Sequence, residues 1–260
     1  MRPELFVDLH MGLHQQGPGS DEETSRALRM LPPLGPDARI LDAGCGPGRQ
    51  TLVLARDSGA HVVAVDLLPP FVEEVARRAD AAGLADRIEA RVGNMAELDL
   101  AEGSLDLVWS EGAIYNLGFE AGLTLWRPLL RPGGHLAVTE ASWLVPEPSR
   151  MATDFWDSEY PGMADIDSNI AAACRAGFET IGHFALAESS WWRYYDEQEA
   201  RLPELRERYA GNAEAQAELD AAQREYDLYR GHASEYGYVF YVCRRRGEPQ
   251  ASETVEVSAR

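Results

Sequence analysis

Lysine is absent from the chain: all 24 basic residues are arginine, in a sequence also rich in alanine, a bias of the kind high-GC coding produces. Without lysine there is no phosphate-gripping G-x-x-x-x-G-K loop. Positive charge is scarce altogether, since 43 acidic residues leave a formal net charge of −19. Such a surface repels phosphate backbones and anionic lipid, so neither nucleic acid nor a membrane is expected as a partner. Cysteine is equally sparse. Cys45, Cys174 and Cys243 form no C-x-x-C pair, which suits three free thiols in a reducing compartment. The six histidines are scattered, and neither a zinc pattern nor a nucleophile elbow occurs, so no metal is expected. No apolar run approaches the length of a membrane span, and no charged segment followed by a long apolar run opens the chain. The expectation is a soluble, cytoplasmic protein. Its 260 residues, 45% hydrophobic and 9% aromatic, suffice for one α/β domain with insertions.

The rest of the sequence is arranged around residues 40–51, ILDAGCGPGRQT. Arg39 to Ala43 ends in a short apolar run typical of a buried parallel strand. Glycines follow at 44, 46 and 48, and a helical pattern resumes at Gln50. A strand, a glycine loop and a helix N-terminus make a site for a polar ligand, because backbone approaches closely and free N–H groups point outward. The spacing argues against a dinucleotide. The G-x-G-x-x-G fingerprint starting at Gly44 needs glycine at 49, where Arg49 stands.

The order D-x-G-x-G-x-G, from Asp42 to Gly48, instead resembles motif I of the class I S-adenosylmethionine-dependent methyltransferases. That resemblance implies a glycine loop passing under the methionine part of the cofactor, with Asp42 near its amino group. Gly44, Cys45, Gly46 and Gly48 then become cofactor contacts, together with Gln50 and Thr51 at the helix start. A second strand, Ala60 to Val65, ends at Asp66, about 20 residues past the loop, where a carboxylate accepts from a ribose diol. Leu67 adjoins it. A third strand, Ile88 to Gly93, leads to Asn94 and Met95. The family often has an acid at this place, accepting from the adenine amino group; Asn94 departs from that, although its carbonyl can accept the same bond. The backbone N–H of Met95 could donate to the ring.

The fourth strand, Leu105 to Glu111, leads into Gly112-Ala113-Ile114-Tyr115-Asn116. Ligands of open α/β sheets bind beyond the carboxyl ends of the strands, so Ser110 is expected to touch the cofactor and Glu111, Tyr115 and Asn116 the methyl acceptor. Glu111 equally suits a cap on the following helix. The turn at 129–134, with LRPGG at 130–134, before a fifth strand ending at Glu140 is a further feature of the family, and the resemblance spans residues 35–145. More closely, WSEGAIYNLGF, the preceding QGPGS and EYGYVFYV near the end resemble a bacterial group of small-molecule methyltransferases.

The implied architecture is a doubly wound α/β fold, with a seven-stranded, mostly parallel sheet whose last strand is antiparallel. The expected organisation has an N-terminal segment at 1–34 and a cofactor-binding core at 35–190 and 236–246. A helical insertion at 191–235 and a flexible polar tail at 247–260 complete it. Ser20-Asp21-Glu22-Glu23 opens a helix as a capping box, and the N-terminal segment either covers the sheet edge or forms a lid hinged at Gln16 to Gly19, which would then touch the cofactor. The insertion is expected to carry helices at 197–209 and 213–230 and to wall the acceptor pocket. Glu140, Trp143, Trp192 and Tyr195 are candidate acceptor contacts, although clustered aromatics also build cores. Glu111, Tyr115 and His183 are candidates for proton removal, and His183 also suits a structural role. His10 and His14 read as an exposed pair on one helical face. The expected reaction is transfer of the methyl group of S-adenosylmethionine to a small-molecule amine or hydroxyl, leaving S-adenosylhomocysteine. The rival readings are a cofactor-binding protein without transfer and a protein methyltransferase.

Overall fold

The computed structural model of the protein describes residues 2–247. Five parallel strands come first: β1 (Arg39–Ala43), β2 (His61–Asp66), β3 (Ile88–Val92), β4 (Leu105–Ser110) and β5 (Leu130–Trp143). They are followed by β6 (Ala164–Asp165), β7 (Phe178–Ala185) and β8 (Tyr236–Arg245). The sheet runs β3-β2-β1-β4-β5-β8-β7, with β6 added beside β5. β8 lies antiparallel between β5 and β7. The extra eighth strand is only two residues long, pairing with Ser142 and Trp143 before Asp165 caps the next helix by accepting from Ser168 N at 2.7 Å.

β1 pairs with both β2 and β4, and its apolar run Ile40, Leu41 and Ala43 is wholly buried. The winding reverses between β1 and β4, which opens a crevice at the carboxyl ends of these strands. One face of the sheet packs on α5 (Phe119–Trp126) and α7 (Ile166–Arg175) through Leu123, Trp126 and Ala173. The other packs on α2 (Asp21–Arg29) and α3 (Arg49–Ser58) through Ala27, Leu54 and Ala55. The helix start at Ser20 forms as its sequence implies: the hydroxyl accepts from Glu23 N at 3.2 Å. The Glu23 carboxylate, however, reaches across to Ala187 N and the Ser190 hydroxyl, both at 2.7 Å.

Three helices lie between β7 and β8: α8 (Glu188–Glu199), α9 (Leu202–Arg208) and α10 (Ala213–His232). Helix thus starts earlier than the expected 197, because Trp191, Tyr195 and Gln198 recur at helical spacing on one buried face of α8. Two further helices, α4 (Pro69–Ala81) and α6 (Arg150–Glu159), complete the core. Among the described residues no helix is long and apolar enough to cross a membrane. The polar segment 248–260 lies outside the described residues.

The N-terminal helix α1 (Pro3–His10) docks on these three helices. Leu5 and Leu9 are buried beside Leu202, Leu205 and Leu219, each contributing about 2 kcal/mol. Arg201 donates to the carbonyls of Leu9 at 3.2 Å and Met11 at 2.5 Å, where a cation complements the helix dipole. Tyr209 donates to Asp8 at 2.7 Å, and Arg208 pairs with it at 2.8 Å. His10 and His14 are not the exposed pair that their spacing suggests. α1 ends at His10, which is 6% exposed, while His14 lies beyond it at the surface. His10 Nδ1 lies 2.7 Å from the Phe6 carbonyl. A carbonyl only accepts, so Nδ1 carries the proton and Nε2 is left to accept from Tyr194 at 3.4 Å.

Burial, aided by the Arg201 cation, holds the His10 pKa down to about 4. An undocked His10 takes its proton near pH 6.5 and the docked one only near 4. Docking of α1 therefore weakens as pH falls from 6.5 to 4, by up to about 3 kcal/mol, and is unaffected above that window. Amide exchange of residues 5–10 checks this. Protection should fall across that window in the wild type and stay flat in His10→Gln.

Candidate cofactor and acceptor site

A cavity of about 530 Å³ opens at the crevice between β1, β2 and β4. Its floor is the loop of Gly44, Cys45 and Gly46. Gly44 has φ +72, and a Cβ there would fall 2.4 Å from Ala113 Cβ. Gly48 has φ +86, and a Cβ would meet Val75 of α4 at 2.8 Å. The first glycine therefore lets backbone approach the cavity, and the third lets two helices close behind it.

Asp66 ends β2 at the cavity wall. One carboxylate oxygen accepts from Gly46 N and the other from Leu68 N, both at 2.9 Å. Each oxygen keeps a further lone pair, so this carboxylate holds the glycine loop and can still accept from a diol. Burial raises its pKa, and the Leu68 and Gly46 N–H groups oppose that. Leu67, 67% exposed, adjoins it with Leu68 and Phe71. Across the cavity Asn94 Oδ1 accepts from Ala96 N at 2.9 Å, and the Met95 carbonyl accepts from Trp126.

The remaining candidates divide. Gln16, Gln50, Glu111, Tyr115 and Asn116 line the cavity. Asp42 does not. It is fully buried, accepting from Thr51 at 2.6 Å and Gln50 at 3.3 Å, and burial pushes its pKa up to about 7. It ties the end of β1 to the start of α3, and Thr51 is spent in the same bond. Ser110 turns inward to donate to the Ala43 carbonyl at 2.8 Å. Gly19 and Gly48 are likewise behind the wall rather than in it, Gly19 because it packs on Arg49.

Glu111 reaches the cavity but is not free. Arg49 Nη2 lies 2.5 Å from one oxygen, while Thr24 and Trp109 donate to the other at 2.7 and 2.8 Å. Both members of the ion pair are 4% exposed. Both of its oxygens are thus occupied by donors from α2, α3 and β4. His183 is also displaced from the site: it is exposed on β7, the outer strand, opposite Tyr241. Trp192 and Tyr195 sit on α8 in the aromatic core of the three-helix segment instead of on the cavity wall. Trp143 joins that core at the end of β5, its ring edge-on to Tyr236 at 6.2 Å.

Phe6 and Val7 of α1 and Gln15 cover the opening and were missed by sequence reasoning, whereas Gly17 and Pro18 beside them belong to the expected Gln16–Gly19 hinge. The Oε1 atoms of Gln15 and Gln16 are buried without a partner, as acceptors facing a ligand would be. The Gln15-Gln16-Gly17-Pro18 stretch carried a signal, a glutamine pair against a turn. The short α1 carried none.

One further buried carboxylate lies outside the cavity lining. Glu140 on β5 is 1% exposed; neither of its oxygens has a close hydrogen-bond partner, and the Tyr160 hydroxyl is the donor nearest to supplying one. Burial raises its pKa to about 7, although nearby Tyr160 favours the charged form. Tyr160 stands edge-on to Tyr115 at 6.2 Å, which connects Glu140 to the cavity wall. The Tyr195 hydroxyl donates to Glu225 of α10 at 2.6 Å, and a Cβ on cavity-lining Gly112 would touch the Tyr238 ring at 3.7 Å.

Comparison with known proteins gives this geometry its chemistry. Residues 40–134, from β1 into the start of β5, match the methyltransferase domain family. The structure superposes with a TM-score of 0.79 on an S-adenosylmethionine-dependent methyltransferase of Geobacter sulfurreducens solved with S-adenosylhomocysteine. The two are 22% identical, with 94% of this chain and 99% of the other covered. The enzyme is an S-adenosylmethionine-dependent methyltransferase. It is also similar to the YjhP protein of Escherichia coli strain K12, 25% identical over 250 residues covering 93% of this chain and 99% of that one. A 27-O-demethylrifamycin SV methyltransferase of Amycolatopsis mediterranei is 27% identical over 92% of this chain and 90% of its own. The site fits the cofactor: a glycine cradle without room for a Cβ at Gly44, a carboxylate with spare lone pairs at Asp66, and unpartnered amide oxygens at Gln15 and Gln16.

Replacing Asp66 by Ala removes two acceptors for a diol and releases Gly46 and Leu68. The expected loss is about 1–3 kcal/mol, a tenfold to hundredfold weaker affinity for S-adenosylhomocysteine by titration calorimetry. NAD should give no heat at the same concentrations.

Proposed function

We propose that this methyltransferase acts on a small-molecule amine held at the Tyr115 side of the cavity, next to Tyr160, and that Glu140 takes the proton. Asp66, Asn94 and Met95 would hold the nucleoside end of the cofactor, and Gln15, Gln16 and the glycine loop its amino-acid end. Bound there, the cofactor supplies an activated sulfonium methyl group. The protein's task is alignment of the acceptor for in-line attack and removal of its proton. The methyl carbon leaves sulfur as nitrogen bonds to it, the proton passes from nitrogen to a Glu140 oxygen, and S-adenosylhomocysteine remains.

The observation carrying this reading is the pair of unsatisfied Glu140 oxygens. A buried carboxylate without partners is costly unless a ligand completes it, and a pKa of about 7 suits a general base at neutral pH. Glu111, engaged by Arg49, is better suited to holding the site together. A hydroxyl acceptor is the competing account, since the same base would serve it. The enclosure by α1 and the tyrosines favours a small acceptor over a protein side chain.

Incubation of the enzyme with methyl-labelled cofactor and a metabolite extract should yield a labelled small amine. With that substrate, turnover should rise with pH through about 7, and Glu140→Gln should lower kcat by about 10²–10⁴-fold while leaving S-adenosylhomocysteine affinity intact. Labelled alcohols only, or unchanged kcat in Glu140→Gln, would contradict the assignment.

A further inference from the structure

The segment that roofs the cavity is a strap held mainly by side chains. Residues 11–19 join α1 to α2, and among the described residues their backbone–backbone hydrogen bonds run only to α1, from Met11 N to Val7 and from Leu13 N to His10. Arginines grip its carbonyls instead. Arg78 of α4 donates to Leu13 at 3.3 Å and to His14 at 2.9 Å, and Arg201 donates to Met11. A segment outside the sheet ladder opens more readily than the sheet beneath it.

Two glutamines of the strap meet the cofactor cradle. The Gln15 amide donates to the carbonyls of Gly17 at 2.9 Å and Gly19 at 3.0 Å, and the Gln16 amide donates to the His10 carbonyl at 2.9 Å. Carbonyls only accept, so these bonds fix which end of each amide carries the oxygen. Both oxygens are buried without a protein partner, and both residues line the cavity. Gln15 is 4% exposed. Gln16 packs on the glycine loop itself, since a Cβ on Gly46 would fall 3.2 Å from its Cγ. Arg49, also in the lining, has an Nε that is buried and unpartnered. Two acceptors and a cationic donor complement an ammonium and a carboxylate carried on one carbon. A buried amide oxygen without a donor is costly, which disfavours closure over a ligand lacking those groups.

We propose that the strap, residues 5–18, closes on the amino-acid end of the cofactor, and that a nucleoside without that end binds but leaves the strap open. The inference rests on the cofactor orientation given above and is independent of the acceptor. The ammonium donates to the Gln15 and Gln16 oxygens, and the carboxylate accepts from Arg49 Nε. The Gln16 amide holds the carbonyl of His10, the last residue of α1, so the contact passes to Leu5 and Leu9 where α1 docks on the three-helix segment. Coupling of this kind is reciprocal: docking of α1 strengthens cofactor binding by the factor with which the cofactor strengthens docking. Closure sets Phe6 and Val7 against the cavity, so the cofactor binds before that wall is complete.

5′-Methylthioadenosine keeps the nucleoside and the sulfur but lacks the amino-acid end, and it separates the two contributions. Amide exchange of residues 5–13 should slow about tenfold or more with saturating S-adenosylhomocysteine and change less than about twofold with saturating 5′-methylthioadenosine. The amides of Gly46 and Leu68 should slow with both. By calorimetry Leu9→Ala, which loosens α1 at a residue outside the cavity lining, should weaken S-adenosylhomocysteine about fivefold or more. Its affinity for 5′-methylthioadenosine should match the wild type, which also shows that the variant is folded. If the variant loses both ligands by unfolding, the exchange comparison on the wild type decides alone. Equal strap protection by the two nucleosides, protection by neither, or unchanged S-adenosylhomocysteine affinity in folded Leu9→Ala overturns the closure. Equal affinity of the wild type for the two overturns the cofactor orientation with it.

Discussion

The Arg49–Glu111 ion pair is the constraint on which the site depends. It sits under the glycine loop, both partners 4% exposed, and joins three elements. Arg49 begins α3, Glu111 follows β4, and Thr24 and Asp21 of α2 share the same guanidinium at 3.2 and 3.3 Å. A cation at a helix N-terminus opposes the helix dipole, so Arg49 needs this carboxylate. Removing one partner would leave a buried charge unmatched, which costs about 3–5 kcal/mol. The pair thus locks α2 against the loop and keeps the cavity mouth in register with the carboxyl ends of β1 and β4. It also occupies the place that a dinucleotide-binding glycine would need.

Two treatments of buried charge meet across one cavity. On the cofactor side every carboxylate is satisfied: Asp42 by Thr51 and Gln50, Glu111 by Arg49, Asp66 by backbone N–H groups. Glu140, by contrast, has only the Tyr160 hydroxyl near it, and Glu225 a single phenol. The satisfied groups hold backbone in place. Between the two sides stand Gly112 and Tyr115, and α1 closes over them. α1 is held on the three-helix segment partly through Tyr194, which donates to His10.

The sheet and the cofactor cradle were legible in the sequence because both are written locally. A buried apolar run, three glycines and an acid at the end of the next strand specify a crossover and its turn without reference to distant residues. What stayed hidden depends on residues far apart in the chain. Arg49 could be read as the absence of a glycine, but not as the partner of Glu111, 62 positions away. Glu111 looked like a free base because its donors come from α2 and α3. Tyr195 and Trp192 were placed in the pocket for their chemistry, whereas helical spacing along α8 turns Tyr195 into the core and Trp192 against Tyr229. The short helix α1 shows no pattern of its own and gains its place by tertiary contact.

The central claim is that Glu140 is a buried carboxylate poised near neutrality beside the methyl group's path. Infrared difference spectroscopy of the wild type against Glu140→Gln, with S-adenosylhomocysteine bound, reads that group directly. A protonated-carboxyl band should be present below pH 6, absent from the variant, and half-titrated near pH 7. A band that has vanished by pH 5.5, as for an ordinary solvated glutamate, would contradict the account.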